Sequence, residues 1–427
     1  MPLNKHIFIS KNTSLNDSLF ELLIFIFLLS VFYSKTLLTI TEILLFLMSF
    51  FRLKNNFKIQ LRKDIILNFH NYIKSPQFWT LNIFFIAVLI SGINSENTQE
   101  WLHHLKLKLP FLLLPFAFFS VGKFSERQYL KYFYYFIIIV VISSVGVLAE
   151  YIFTYPELND KIKIGQSINT PIDHIKYSLL LSIAVIAAFE LYIKNYYLKY
   201  HWERYFIAIS GIGIFIFLHV ISIRSGIVTT YLALTILIIK EFWSKKRTLV
   251  FTSLAIMIIS VIFFYLTIPT FHNKLDYMKY DLKMYKNDKG ENYSDAERIY
   301  SWKAGIYLFE KNPVLGTGIG DLRNELKVVY KDLFKGKNLK VKYPHNQFIF
   351  TLAGMGILGI ILLLIAIFFP LFYNNNYRNS LFLGLMIILI SSFTVENTIE
   401  RSYSTAFYLF FMLISLNTFL NNKNHYS

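Results

Sequence analysis

Residues 347–369 read QFIFTLAGMGILGIILLLIAIFF, without one Asp, Glu, Lys or Arg. A helix crossing the hydrocarbon core of a bilayer needs about 20 consecutive, mostly apolar residues, and this stretch supplies them. The same reading extends toward the C-terminus through 380–395 and 403–420. Toward the N-terminus it extends through 18–33, 36–51, 78–93, 105–121, 132–153, 176–193, 205–222, 227–239 and 248–268. The expectation is therefore an all-α, polytopic membrane protein of about 12 transmembrane helices. The stretch 105–121 contains Pro110 and Pro115, and 227–239 is short.

Composition agrees. Of 427 residues, 55% are hydrophobic and only 16% charged, against about 25% charged in soluble domains. A water-soluble fold is excluded. The 29 Tyr fit membrane–water interfaces, where an amphipathic ring is wet at one end. The formal charge of +17 would point to nucleic acid in a soluble domain; in a membrane protein it reflects Lys and Arg gathered in cytoplasmic loops, and no nucleic acid is expected. Cysteine is absent, which rules out disulfides and thiolate metal sites. Residues 1–17 are polar and no small-residue cleavage site follows, so 18–33 reads as a retained first span.

Lys and Arg set the orientation. Arg52, Lys54, Lys58, Arg62, Lys63 and Lys74 follow the second span; Lys123, Arg127 and Lys131 the fourth; Lys194, Lys199 and Arg204 the sixth; Lys240, Lys245, Lys246 and Arg247 the eighth. All fall on one side, whereas 94–104 on the other has no Lys or Arg, and Lys35, Lys161 and Lys163 are the exceptions on that side. Both termini are then cytoplasmic. Residues 269–345 form one long outer segment between two membrane parts, 1–268 (spans one to nine) and 346–427 (spans ten to twelve). Ser294-Asp295-Ala296-Glu297 reads as a capping box, followed by Ile299, Trp302, Ile306 and Phe309 at helical spacing and by Pro313 and Gly316 as stops. Leu322, Leu326, Val329 and Leu333 mark a second amphipathic helix. A folded helical cap is expected.

Three residues of that outer face stand out. Arg224 sits in Ile223-Arg224-Ser225-Gly226, on a very short connection. An interfacial arginine usually snorkels to water, but the positive-inside bias disfavours one here. Its planar fork suits phosphate oxygens, and Gly226 would let a ligand approach the backbone. Arg298 lies in the first turn of the capped helix, either as a solvated charge or as a second phosphate ligand near a helix N-terminus. His345, in Tyr343-Pro344-His345-Asn346, stands where the outer segment re-enters the membrane. With an ordinary pKa of about 6.5 it can act as a base or proton shuttle. No metal-ligand spacing is present. Gly316-Thr317-Gly318-Ile319-Gly320 lacks the pattern of a nucleotide loop and reads as a turn. Gly354, Gly356 and Gly359 read as helix-packing glycines. Glu42 and Glu150 lie within spans. Glu396, Glu400 and Arg401 lie at an outer end; membrane carboxylates are usually functional or paired, and the Glu400–Arg401 neighbourhood reads as a surface cluster.

Together these motifs resemble the O-antigen ligase/polymerase superfamily. They run in order: Arg224-Ser225-Gly226, Arg298-Ile-Tyr-Ser-Trp302, Asn312-Pro-Val-Leu-Gly-Thr-Gly-Ile-Gly320, Pro344-His345-Asn346 and Gly354-Met-Gly356-Ile-Leu-Gly359. The resemblance covers roughly 204–369. Ala353 stands where the family often has an acidic residue.

The resemblance implies a GT-C-like fold and a metal-independent glycosyltransferase without cofactor, working in the bacterial inner membrane. The donor would be a glycan on undecaprenyl pyrophosphate. The acceptor would be lipid A-core for a ligase, or another lipid-linked glycan for a polymerase. The expected roles are pyrophosphate binding by Arg224 and Arg298, with His345 and Arg298 catalytic. A glycolipid transporter or flippase is the alternative of another class. It would explain the spans and some of the intramembrane charges, but it predicts polar residues deep in a central pathway and an internal repeat, whereas the unusual polar residues concentrate in and around one outer segment and no repeated half is visible.

Overall fold

A computed structural model of the protein describes residues 15–54 and 58–420; most of the polar stretch read before the first span therefore lies outside the described residues. The chain runs as α1 (Leu15–Tyr33), α2 (Lys35–Leu47), a short antiparallel hairpin β1 (Phe51–Leu53) and β2 (Ile59–Leu61), then α3 (Ile65–Ile73), α4 (Pro76–Trp79) and α5 (Asn82–Ile90). There follow α6 (Thr98–Leu107), α7 (Leu109–Val121), α8 (Glu126–Phe153), α9 (Tyr155–Lys163), α10 (His174–Ile193), α11 (Glu203–Ile221), α12 (Arg224–Phe242) and α13 (Arg247–Thr267). The remainder is α14 (Pro269–Lys286), α15 (Ser294–Lys311), α16 (Leu322–Leu333), α17 (Gln347–Phe372), α18 (Ser380–Val395) and α19 (Ser402–Thr418).

The all-α membrane architecture is observed. Among the described residues, eight helices are long and apolar enough to cross a membrane, and 82–94 and 380–395 are shorter apolar helices. Every stretch read as a span is largely helical, but not every one is a full-length helix. The stretch 36–51 ends its helix at Leu47 and turns into β1; 403–420 outruns the 17-residue α19, which ends at Thr418. Apolarity alone does not mark where a helix stops.

The centre of the bundle is α10, which packs on α8, α11, α12 and α18. Its contact with α12 is close because Gly226 faces Ser178: a Cβ on Gly226 would lie 2.5 Å from that of Ser178. Ser182 Oγ donates to the Gly226 carbonyl at 2.9 Å. Gly226 therefore serves helix packing, in place of the ligand approach expected of it.

Residues 269–345 fold as three helices, one more than expected. Pro269 at the first turn of α14 is a signal for it, since proline's missing N–H costs nothing there. The expected capping box does not form. Asp281 of α14 accepts from the Asp295 and Ala296 N–H groups at 2.8 and 3.1 Å, while Glu297 pairs with Lys342. A neighbouring helix thus supplies the cap that the local sequence offered. The buried face of α15 also differs from the one expected: Ala296, Tyr300, Ala304 and Leu308 are buried, while Ile306 is exposed. Close approach to α17 selects the small residues; a Cβ on Gly305 would come within 2.7 Å of Pro344 and 2.6 Å of Ile349.

The segment quoted at the start is itself broken. Gly356 has φ 62° and ψ −160° inside α17, so it does more than permit packing. The N–H groups of Ile357 and Leu358 donate to the carbonyls of Pro313 and Val314, at 2.8 and 3.3 Å. Thr317 N–H donates to the Ala353 carbonyl at 2.9 Å. Backbone freed within a membrane must find partners in protein, and the 312–320 turn provides them. That turn is also tied to the region after α5: Asn94 Nδ2 donates to the Gly316 carbonyl at 2.9 Å, and Ile319 N–H to Ser91 Oγ at 2.9 Å. A methyl group on Gly356 would sit 2.3 Å from the Val314 oxygen. Gly356→Ala is expected to cost about 1–3 kcal/mol from the backbone conformation alone, seen as a lowered unfolding temperature in detergent; wild-type stability would contradict this.

Candidate active site

The three residues singled out in the sequence are gathered by α15. Ser222, in a left-handed conformation with φ 55°, ends α11, and its Oγ donates to Thr270 Oγ1 of α14 at 3.0 Å. This short turn places Arg224 at the start of α12. Its guanidinium donates to Asp295 Oδ1 at 2.7 Å. Arg298, one turn along α15, lies 3.8 Å from the same oxygen. The buried Asp295 carboxylate therefore holds two guanidiniums side by side, with most of their N–H groups left for another anion.

Lys274 of α14 adds a third cation. Its Nζ donates to the Gly165 carbonyl at 2.8 Å. Burial, and then the Arg224 charge, lower its pKa to about 8, with Asp295 opposing. Asp281 beneath is shifted the other way: burial raises its pKa against the two N–H donors of α15.

His345 is fixed from both sides by the same helix. Its N–H donates to Ser301 Oγ at 3.2 Å, and Trp302 Nε1 donates to its carbonyl at 2.9 Å. Its Nδ1 lies 3.1 and 3.2 Å from the two oxygens of Glu396. Burial pushes the Glu396 carboxyl up, but the His345 hydrogen bond and charge, with Arg298 and Lys176, outweigh it and hold the group below its ordinary value. A carboxylate on Nδ1 places the N–H there and leaves the lone pair on Nε2.

Sequence reading named Glu396 without pairing it to His345, and it took Glu400 and Arg401 for a surface cluster. Glu400 is in fact buried, 2.9 Å from Lys108 Nζ and 3.5 Å from His104 Nδ1, and it accepts from Gln347 Nε2 at 2.8 Å. Burial raises its pKa, but Lys108, His104 and Gln347 together bring it down to about 2. Lys108 also donates to the Ile399 carbonyl, so it ties down the 396–401 connection that presents Glu396. The signal in the sequence was a lysine inside an apolar stretch between Leu107 and Leu109. Removing one partner of a buried pair strands the other charge. Lys108→Met is expected to destabilise the protein by about 3–5 kcal/mol, with partial recovery in the Lys108→Met, Glu400→Gln double variant; equal losses in both would argue against the pair.

His345 and Glu396 open onto a cavity of about 580 Å³ that also reaches His103, Arg323, Lys342 and Arg401. The arginine pair, a carboxylate-oriented histidine and an adjoining cavity thus lie at one end of a membrane helix bundle. Glu150 stands apart, accepting from Asn169 Nδ2 at 3.0 Å, and Glu42 has a buried oxygen without a hydrogen-bond partner.

The fold defines a polytopic membrane protein, and this constellation marks a candidate site at one end of the bundle. Residues 208–364, which carry Arg224 and Arg298 and end within α17, match the family model described as O-antigen ligase; this supports a place in the O-antigen ligase-like superfamily. No curated protein matches the chain.

Proposed function

We propose that this protein is an O-antigen ligase, moving a glycan from undecaprenyl pyrophosphate to a sugar of lipid A-core at the periplasmic face of the bacterial inner membrane. The observation that carries the reading is the arrangement on α15: Asp295 joins Arg224 to Arg298, and one to two turns later Ser301 and Trp302 fix His345. The Lys/Arg bias supports cytoplasmic termini, with residues 269–345 as the periplasmic loop domain between the two membrane parts.

The donor carries its own leaving group, so no nucleotide is required. As the glycosidic bond breaks, negative charge grows on the pyrophosphate. Arg224 and Arg298, already aligned, stabilise that charge without reorganising. Nε2 of His345 takes the proton of the acceptor hydroxyl as its oxygen bonds to the anomeric carbon, and Glu396 stabilises the imidazolium that results. The cavity beside His345 receives the acceptor. Arg298 acts at both places, since its charge also reaches Glu396.

The test is purified protein in vesicles with a lipid-pyrophosphate glycan and lipid A-core. Covalent transfer supports the reading; movement of the glycolipid across the bilayer without transfer would overturn it in favour of a flippase. In cells lacking the protein, complete chains should remain on the carrier lipid. Single repeats on lipid A-core would instead mark a polymerase.

A further inference from the structure

A second cavity, of about 680 Å³, lies between the end of α9, α14 and residues 291–293. Asn273, Asp276, Tyr277 and Tyr280 reach it from α14, at spacings that place them on one helix face. Tyr293 forms the facing wall, its ring centroid 5.8 Å from that of Tyr280 and 6.4 Å from that of Tyr277. Tyr277 is seated on Gly165: a Cβ there, at φ +93°, would lie 2.5 Å from the ring carbon Cζ. The transfer chemistry uses none of these tyrosines.

We propose that this cleft binds the polyhydroxylated chain of the donor glycan beyond the sugar attached to pyrophosphate; the inference rests on the glycosyltransferase reading above. Aromatic faces supply apolar area at fixed orientation for the C–H faces of sugar rings. A few polar groups at the rim, here Asn273, Asn292 and Glu291, can take up hydroxyls and fix orientation. The cleft has no arginine among its lining residues, and its charges are mixed, Lys163 with Asp276 and Glu291. It differs in this from the arginine pair.

The two sites are joined by α14 and by the start of α15. Lys274, whose charge couples to Arg224, lies about 9 Å along the helix axis from Tyr280 by the rise per residue. Tyr293 immediately precedes α15, two residues before Asp295. A glycan anchored by its pyrophosphate at Arg224 and Arg298 therefore meets the tyrosines within a short run of sugars. Tyrosines can also simply mark a membrane interface, and the experiment separates the two roles.

Full-length protein in nanodiscs is titrated with polysaccharide released by mild acid from the carrier lipid of the same cells, followed by saturation-transfer NMR. Tyr280 is half exposed, so Tyr280→Ala should fold. It is expected to weaken polysaccharide binding by up to about tenfold, while Tyr280→Phe keeps the ring and most of the affinity. Binding of inorganic pyrophosphate should persist in Tyr280→Ala and fall in Arg224→Ala. The wild-type preference for a long-chain over a single-sugar lipid donor should shrink toward one in Tyr280→Ala. Unchanged polysaccharide binding in Tyr280→Ala, or a change only in how firmly the protein is held in the bilayer, overturns the proposal. Transfer from the single-sugar donor by wild-type protein tests the glycosyltransferase reading separately.

Discussion

His345→Ala is expected to lower glycan transfer by about 10²–10⁴-fold, the usual worth of a positioned general base, while the protein still inserts and folds. The folding half of this expectation follows from the contacts. The bonds that seat residue 345 use its main-chain N–H and carbonyl, to Ser301 and Trp302, and alanine retains both. What alanine removes is the imidazole and its bond to Glu396. Glu396→Gln keeps a polar partner but loses the charge that stabilises an imidazolium, so it should fall between wild type and His345→Ala. The pH–rate profile gives a second readout. The limb contributed by the base should disappear in His345→Ala and move in Glu396→Gln. Wild-type transfer rates in His345→Ala membranes would remove the histidine from the mechanism.

Arg224→Ala should cost about 10²–10³-fold in kcat, the typical loss on deleting one preorganised electrostatic donor. Arg224→Lys should be impaired less but clearly, because it keeps the charge and loses the planar fork. The geometry adds a non-additivity. Arg224 and Arg298 share one oxygen of Asp295, so removing either leaves the other held by an undivided carboxylate. The Arg224→Ala, Arg298→Ala double variant should therefore fall short of the product of the single losses, as coupled neighbours do. Transfer assays on the two single variants and the double variant, at equal membrane levels, complete the cycle. Full activity of Arg224→Ala would exclude the arginine pair as the anion site.

Much of the candidate site was legible because its residues break local rules. Arg224 stands on the side where the Lys/Arg bias predicts little positive charge, Arg298 opens a helix, and His345 follows a proline just before an apolar span. Such violations can be read one residue at a time. Glu396 and Glu400 could not be read in this way. Their meaning depends on His345 and Lys108, which are 51 and 292 residues away from them, and a carboxylate near an arginine looks the same in sequence whether solvated or buried. The apolar face of α15 was misread for a related reason. Periodicity ranks large apolar residues first, whereas contact with α17 at Gly305 required small ones.

The run 347–369 shows the division most clearly. By itself it determined that the chain crosses a membrane, since uncharged apolar length is a property of the segment and of the bilayer alone. It did not determine that the helix breaks at Gly356. That break is stable only because the carbonyls of Pro313 and Val314 and the N–H of Thr317 meet the freed backbone, and those groups arrive from a segment separated from it by a whole helix. Local free energies such as apolar transfer and turn preference are written along the chain. The satisfaction of buried backbone and buried charge is decided between distant segments, and only the tertiary structure brings them together.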